Sequence, residues 1–333
     1  MTGILRDGAA ELRPLAGQRL AVLGYGNQGR SQALNLRDSG LAVVVGNIAD
    51  ASLDRARADG FEALPIAEAC ARADAILLLV PDEVMPEVFA GEVAPQLRPG
   101  NLLDFASGYG VAFGGVRPPP DVDVVLVAPR MIGPGVRDRF VSGQGFPSFV
   151  GVHQDATGTA HDRMRALARA IGSPRRACIE MSLHDEACLD LFTEQAFGPA
   201  FGRVMLSAVQ TLVDRGYPPE AVLLELYLSG ELAYAFQKIA EVGMLEQMDY
   251  HSHTSQYGSI TRAGRFADLD ATLRERMGAV LEEIRSGRFA EEWSRARDGF
   301  PELRERVRSA RDGLPLATWE RKARAALGTA ESE

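Results

Sequence analysis

Arg19-Leu20-Ala21-Val22-Leu23-Gly24-Tyr25-Gly26-Asn27-Gln28-Gly29 is the stretch on which the fold turns. Arg19 to Leu23 reads as a short apolar strand, Gly24 to Gly29 spells G-x-G-x-x-G, and Ser31 to Arg37 continues with helical periodicity. The glycine spacing alone is as often an ordinary turn. Between a strand and a helix it allows a tight turn and close backbone approach to a pyrophosphate, which then sits on the helix N-terminus. Gly24, Tyr25, Gly26, Asn27, Gln28 and Gly29 are therefore the first candidate cofactor contacts.

A second strand is expected over Leu41 to Val45, ending at Gly46-Asn47-Ile48-Ala49-Asp50, where a dinucleotide fold meets the adenosine ribose. Acidic groups there accept bonds from the hydroxyls of NAD, whereas arginine suits the 2′-phosphate of NADP. Asn47 and Asp50 are assigned to that contact, and NAD is expected over NADP. The plainer reading is that Asp50 and Asp54 only open a solvated helix, where acids are also favoured. Further strands are expected at Ala75 to Val80, Asn101 to Phe105, Val122 to Ala128, Phe149 to Val152 and Ala177 to Ile179. Ligands bind at the carboxyl ends of such parallel strands, which adds Pro81, Asp82, Ser107, Arg130 and Gly133 to the candidates. After Leu183 strand signals stop and helical stretches take over: Leu183 to Val213, Glu220 to Val242, Leu269 to Ser286 and Phe289 to Ser309. The expected fold is α/β, with a doubly wound parallel sheet over 1–182 and an all-helical domain over 183–333.

Composition narrows the function. The 333 residues suffice for two domains, and a net charge of −9 without a Lys/Arg cluster argues against nucleic acid or an anionic membrane as partner. Lysine occurs only at Lys238 and Lys322, which leaves a Schiff-base mechanism almost no nucleophile. Cys70, Cys178 and Cys188 are too scattered for a disulfide framework and read as small buried residues of a reducing, cytoplasmic setting. No stretch is long and apolar enough to span a bilayer, and the first residues lack a signal-peptide core.

Within the first helical stretch, Asp190 and Glu194 lie four residues apart among Leu189, Leu191, Phe192 and Phe197, as in a helix buried all round. Like charges at that spacing repel, and a buried carboxylate needs compensation. A divalent cation on Asp190 and Glu194 is the simplest compensator. The alternative is a wet face with merely solvated carboxylates.

Taken together, several stretches resemble ketol-acid reductoisomerase, which isomerises and then reduces a 2-hydroxy-2-alkyl-3-keto acid. They are GYGNQGR at 24 to 30, ALNLRDSG at 33 to 40, VPDEV at 80 to 84, DVDVVLVAPR at 121 to 130, HQDATG at 153 to 158, DLFTEQ at 190 to 195, GYPPEA at 216 to 221 and TSQYG at 254 to 258. The resemblance implies a Rossmann domain, a knotted helical domain, magnesium held by Asp190 and Glu194, and a homodimer with a shared active site. It also marks departures. The second carboxylate of the family's Glu-x-x-x-Glu, which begins here at Glu225, is Ser229. The family's histidine after Phe-Ala is Ser107, its lysine after Val-Ala-Pro is Arg130, its cysteine after Glu-Gln-Ala is replaced around Pro199, and its NADPH-binding arginine is Ile48. Arg130 offers a fork suited to clamping a substrate carboxylate, while Ser107, Ser252 or a water is left to handle protons. His251 and His253 flank Ser252 and read first as exposed loop histidines.

With the dinucleotide loop and the acid pair kept and the proton relay altered, the sequence points to redox chemistry without the native alkyl migration. The expectation is an NAD- and magnesium-dependent relative acting on a 2,3-dihydroxy or 2-keto-3-hydroxy acid. It would resemble the cyclopropanol-forming members of the family, which close a ring with loss of a sulfonium group. The alternatives are a genuine ketol-acid reductoisomerase and a catalytically dead NAD-binding relative.

Overall fold

The computed structural model describes residues 3–6 and 11–328, so the extreme ends of both expected domains fall outside the described residues. The chain forms two compact units, Met1–Asp190 and Leu191–Glu333.

The first unit is built on a nine-stranded sheet: β1 (Ile4–Leu5), β2 (Arg19–Leu23), β3 (Ala42–Gly46), β4 (Glu62–Leu64), β5 (Ala75–Leu78), β6 (Leu102–Phe105), β7 (Asp123–Pro129), β8 (Ser148–Gln154) and β9 (Cys178–Glu180). The order is β1-β9-β8-β7-β6-β5-β2-β3-β4. From β4 through β7 every pairing is parallel, and β8 then runs antiparallel to β7. The parallel part reads as continuous apolar runs because both faces are covered; β2, β5, β6 and β7 are buried almost throughout. The covering helices are α1 (Asn27–Asp38), α2 (Ala51–Ala58), α3 (Ile66–Ala71), α4 (Met85–Val88), α5 (Tyr109–Ala112), α6 (Gly133–Val141), α7 (Ala160–Ile171) and α8 (Leu183–Phe192), the last of which begins in this unit. Two apolar clusters flank the sheet, one including Leu20, Val22, Leu36, Met164 and Leu167, the other Leu23, Ile76, Leu103, Phe105 and Leu126. The buried ion pair of Arg163 Nη1 with Asp123 Oδ2, at 2.9 Å, fixes α7 beneath the sheet.

The expected strands all form, with ends shifted by at most two residues. The sequence reading missed β1 and β4, which are two and three residues long and carry too little pattern to register.

The second unit is helical: α9 (Gly198–Val213), α10 (Pro219–Leu223), α11 (Glu231–Val242), α12 (His253–Ala263), α13 (Leu269–Arg285), α14 (Arg288–Ala296), α15 (Phe300–Asp312) and α16 (Pro315–Leu327), with π turns at Thr193–Phe197 and Leu224–Leu228. Two expected helices are interrupted. Glu220 to Val242 breaks at Gly230, whose φ of +82° is left-handed, and Phe289 to Ser309 breaks at a 3-10 turn over Arg297–Gly299. The unit's buried cluster is small, with Val209, Val222 and Leu223 at its centre, Leu316 and Trp319 beside them, and Tyr227 donating its hydroxyl to Glu320 at 2.7 Å. Among the described residues no helix is long and apolar enough to cross a membrane.

Candidate active site

The Gly-rich turn joins β2 to α1 at the edge of the sheet where the parallel strands end. Gly24 has a φ of +94°, and a Cβ there would lie 2.6 Å from the Leu79 carbonyl. A Cβ on Gly29 would lie 1.9 Å from the Gly24 carbonyl, so the turn closes only on glycine. Nothing lies within 4 Å of the Cβ position of Gly26, which leaves open space beside the first turn of α1. A close-approach turn, open space and a helix N-terminus fit a pyrophosphate, with Gly24, Gly26, Asn27 and Gly29 as the residues that would cradle it.

Three predicted contacts have other roles. The Tyr25 side chain is 1% exposed and sits in the core beside Phe61, so only its backbone belongs to the turn. Gln28 donates its amide to the Met131 carbonyl at 2.9 Å. Gly133 is buried, and a Cβ there would meet the Asn27 carbonyl at 2.2 Å, so its smallness packs α6 onto the start of α1. Asp50 caps α2: its Oδ1 accepts from the Ser52 and Leu53 N–H groups at 2.8 and 3.2 Å. The plain helix-start reading of Asp50 is thus correct, and Oδ2 stays available to a ribose. Pro81 and Asp82 are exposed just past β5.

Further along the same edge, Arg130 follows β7 and Ser107 follows β6. Arg130 lies with its guanidinium carbon 4.9 Å from the centre of the Phe149 ring. It donates from Nη1 to Asp190 Oδ1 and from Nη2 to Glu186 Oε1, each at 2.7 Å. Glu186 is fully buried, and its Oε2 accepts the Gly108 N–H at 2.6 Å. Gly108 in turn must be glycine, because a Cβ would lie 1.9 Å from the Leu183 carbonyl. Burial pushes the Glu186 carboxyl up to about 7, against the opposing pull of the Gly108 N–H and the Arg130 charge.

Two expectations fail here. The helix carrying Asp190 is not buried all round, since Leu189 and Phe197 are each 47% exposed. Arg130 is not open to clamp a substrate either, because both ends of its fork are engaged by the carboxylates of Glu186 and Asp190. Glu186 was missed, although it stands one helical turn before Asp190 and extends the acidic face to a third member. Among the described residues, no three or more acids, histidines or cysteines gather as a metal cluster. Asp190 Oδ2 keeps a lone oxygen outside Arg130's grip and fits one position in a magnesium shell; Glu186, with both oxygens engaged, does not.

In the second unit, Glu194 and Glu225 are exposed and each lies within a π turn. Ser252 caps α12, accepting the Ser255 N–H at 3.3 Å. His251 bonds Gln247, and His253 begins α12.

A Rossmann-type sheet with a dinucleotide turn, followed by a helical unit, defines a class of nicotinamide-dependent oxidoreductases. The family of the chain is narrower. Residues 14–177 match the acetohydroxy acid isomeroreductase NADPH-binding domain, and residues 183–328 match the ketol-acid reductoisomerase C-terminal domain. A putative ketol-acid reductoisomerase 3 of Saccharolobus solfataricus is 44% identical over 88% of this chain and 89% of its own length. A ketol-acid reductoisomerase (NADP(+)) of Methanopyrus kandleri is 42% identical over 88% and 89%. The solved structure of an NADH-preferring ketol-acid reductoisomerase from an uncultured archean superposes with a TM-score of 0.90 at 30% identity, over 97% of this chain and 98% of that one. The chain belongs to the ketol-acid reductoisomerase family.

Proposed function

We propose that the protein is a ketol-acid reductoisomerase, converting a 2-hydroxy-2-alkyl-3-keto acid to a 2,3-dihydroxy acid with a reduced nicotinamide cofactor and magnesium. The observation that carries this reading is the shared edge: the dinucleotide turn at Gly24 to Gly29 and the Arg130–Glu186–Asp190 network both lie where the parallel strands end. Relatives bearing that name support it. Asp190 and Glu194 would hold magnesium, which when bound polarises the substrate oxygens while nicotinamide supplies the reducing equivalent. The chain's own part is to orient. Arg130 holds Asp190 in place, the Gly108 N–H holds Glu186, and Ser107 sits at the end of β6 with an oxygen able to exchange a proton with a hydroxyl. NADH is the proposed cofactor: Asp50 and the arginine-free Ile48 position disfavour a 2′-phosphate. The test is consumption of 2-acetolactate with magnesium and either cofactor, followed at 340 nm. Turnover at the rates of ordinary enzymes supports the reading, and no oxidation of cofactor overturns it.

A second reading is favoured by the saturated Arg130 fork together with Ser107 and Ser229, which stand where the family carries a histidine and a glutamate. In it the chain is a remodelled relative of specialised metabolism acting on a 2,3-dihydroxy or 2-keto-3-hydroxy acid. C2 is oxidised and later re-reduced, the C3 proton is released to solvent, and the new carbon–carbon bond replaces the C–S bond so that a neutral thioether departs, which balances to no net use of cofactor. Mass spectrometry of a sulfonium-bearing dihydroxy acid incubated with protein, NAD and magnesium distinguishes the two: ring closure without net cofactor change supports the second, unchanged substrate excludes it.

The proposed assembly is a homodimer. Tyr234, Phe236, Met244, Leu245, Ile260 and Phe266 are between 43% and 79% exposed, far more apolar surface than a helical unit leaves to water unless a partner covers it. Analytical ultracentrifugation that finds only monomer at micromolar concentration would remove this element. The proposed compartment is the cytoplasm.

A further inference from the structure

Asn47 is bonded on both sides. Its Oδ1 accepts the Tyr25 N–H of the Gly-rich turn at 3.0 Å, and its Nδ2 donates to the Ile48 carbonyl at 3.1 Å and to Asp50 Oδ1 at 2.9 Å. With the Ser52 and Leu53 N–H groups, Asp50 Oδ1 therefore accepts three bonds, which fix the plane of the carboxylate and leave Oδ2 as its one uncommitted oxygen. Tyr25 reaches the other end of the same helix. Its hydroxyl donates to Asp59 Oδ2 at 2.8 Å, where Arg30 also donates at 2.7 Å, and Asp59 is the residue on which α2 ends. Tyr25 is thus a buried strut whose backbone is tied to the start of α2 through Asn47 and whose phenol is tied to its end.

This arrangement does something neither residue does alone. A carboxylate that recognises a vicinal diol must present its oxygen in one direction, since ribose hydroxyls donate along the lone pairs and a 2′-phosphate is repelled from the same spot. We propose that Asn47 and Tyr25 are positioning residues for cofactor specificity, locking the Gly-rich turn to the ribose-facing loop so that Asp50 Oδ2 meets the adenosine ribose. Asn47 is 9% exposed and Tyr25 1%, so both act through Asp50 and the turn rather than by touching the sugar. The proposal rests on the dinucleotide reading of the turn and extends it to two residues other than its glycines.

The experiment measures Kd for NADH and for NADPH by nucleotide fluorescence on the full-length protein, together with thermal unfolding. Asn47→Ala is expected to raise Kd for NADH about tenfold, the worth of orienting a charged acceptor, and to raise that for NADPH much less, so the preference for NADH narrows. Asn47→Asp keeps an acceptor for the Tyr25 N–H but loses the donor to Asp50 Oδ1, and because its added charge also repels a 2′-phosphate it is expected to weaken NADH without narrowing the preference as far as Asn47→Ala does. Tyr25→Phe removes only the bond to Asp59 and is the conservative variant should Asn47→Ala fail to fold; a narrowed NADH preference there supports the proposal equally. Cofactor KM rises by a larger factor than kcat falls in each variant. Equal weakening of both nucleotides alongside a lowered Tm means a purely structural brace and overturns the proposal, as does an unchanged ratio or a wild type that binds NADPH as tightly as NADH. A wild type that binds neither nucleotide refutes the dinucleotide reading itself.

Discussion

Replacing Arg130 by methionine keeps the length of the side chain and deletes its charge. The guanidinium bonds Glu186 and Asp190 at 2.7 Å each, but the two halves differ: the Glu186 side chain is 0% exposed and that of Asp190 39%. Removing one partner of a buried ion pair costs about 3–5 kcal/mol, whereas a pair as exposed as Asp190 contributes about 0–1 kcal/mol. Arg130 itself is a quarter exposed, so the lower end of the first range applies. A loss of about 3 kcal/mol lowers Tm by roughly 6–12 °C in a unit of this size. The deficit depends on pH in a set direction. Burial raises the Glu186 carboxyl to about 7 from 4.5, so wild-type stability falls as pH climbs through that window and the folded protein surrenders the proton. Arg130 opposes that rise, so without it the carboxyl stays protonated to higher pH and the ionised form becomes more costly. At pH 5.5 Glu186 is neutral in both proteins and the deficit is small; above pH 7 it grows. Thermal unfolding at pH 5.5, 7.0 and 8.5 reads this out, with Arg130→Met/Glu186→Gln as control. The double variant is expected to recover part of the loss at pH 8.5, because no buried charge is left unpaired. An equal drop in Tm at all three pH values, or strict additivity in the double variant, would refute the reasoning.

Gly29→Ala forces a Cβ to within 1.9 Å of the Gly24 carbonyl, and the reopened turn is expected to weaken NADH binding more than about tenfold by fluorescence titration. Asp104 is fully buried with neither carboxylate oxygen bonded by a side chain, and burial holds its carboxyl well above the usual range; Asp104→Asn is therefore expected to gain stability relative to wild type as pH rises from 5 to 8, measured by urea unfolding. Asp190→Asn is expected to weaken Mn2+ binding, read by the loss of free-ion EPR signal, by at least about tenfold. A saturable affinity equal to wild type removes Asp190 from the metal shell.

The sheet was legible because its strands are apolar on both faces and because the glycines of the first turn satisfy a steric demand that no other residue meets. The strand ends were legible to the extent that parallel pairing fixes them, which is how Ser107 and Arg130 were found beside the turn. Glu186 was not, because a sequence shows an acid on a helix face without showing what buries it; the partners are a backbone N–H 78 residues away and an arginine 56 residues away. The arginine that meets Asp190 was not legible for the same reason. Periodicity supports a charge requirement but does not say whether a metal or an arginine meets it. Tyr25 misled in the opposite way, since membership of the glycine motif says where its backbone runs and nothing about the phenol.

The five-residue turn at Leu224–Leu228 has a last consequence. Its wider winding accommodates one residue more than an ordinary helical turn, so Leu223 upstream and Tyr227 within it keep the phases that seat them in the Val209–Trp319 cluster. Deleting one of the five would let the coil close as an ordinary turn with Val222 and Leu223 still in the phase that buries them, whereas the same deletion in an uninterrupted helix would rotate the preceding segment by about 100°. A single lost codon at this point is absorbed as a tighter turn, and length polymorphism here would leave the buried face of the helix in place.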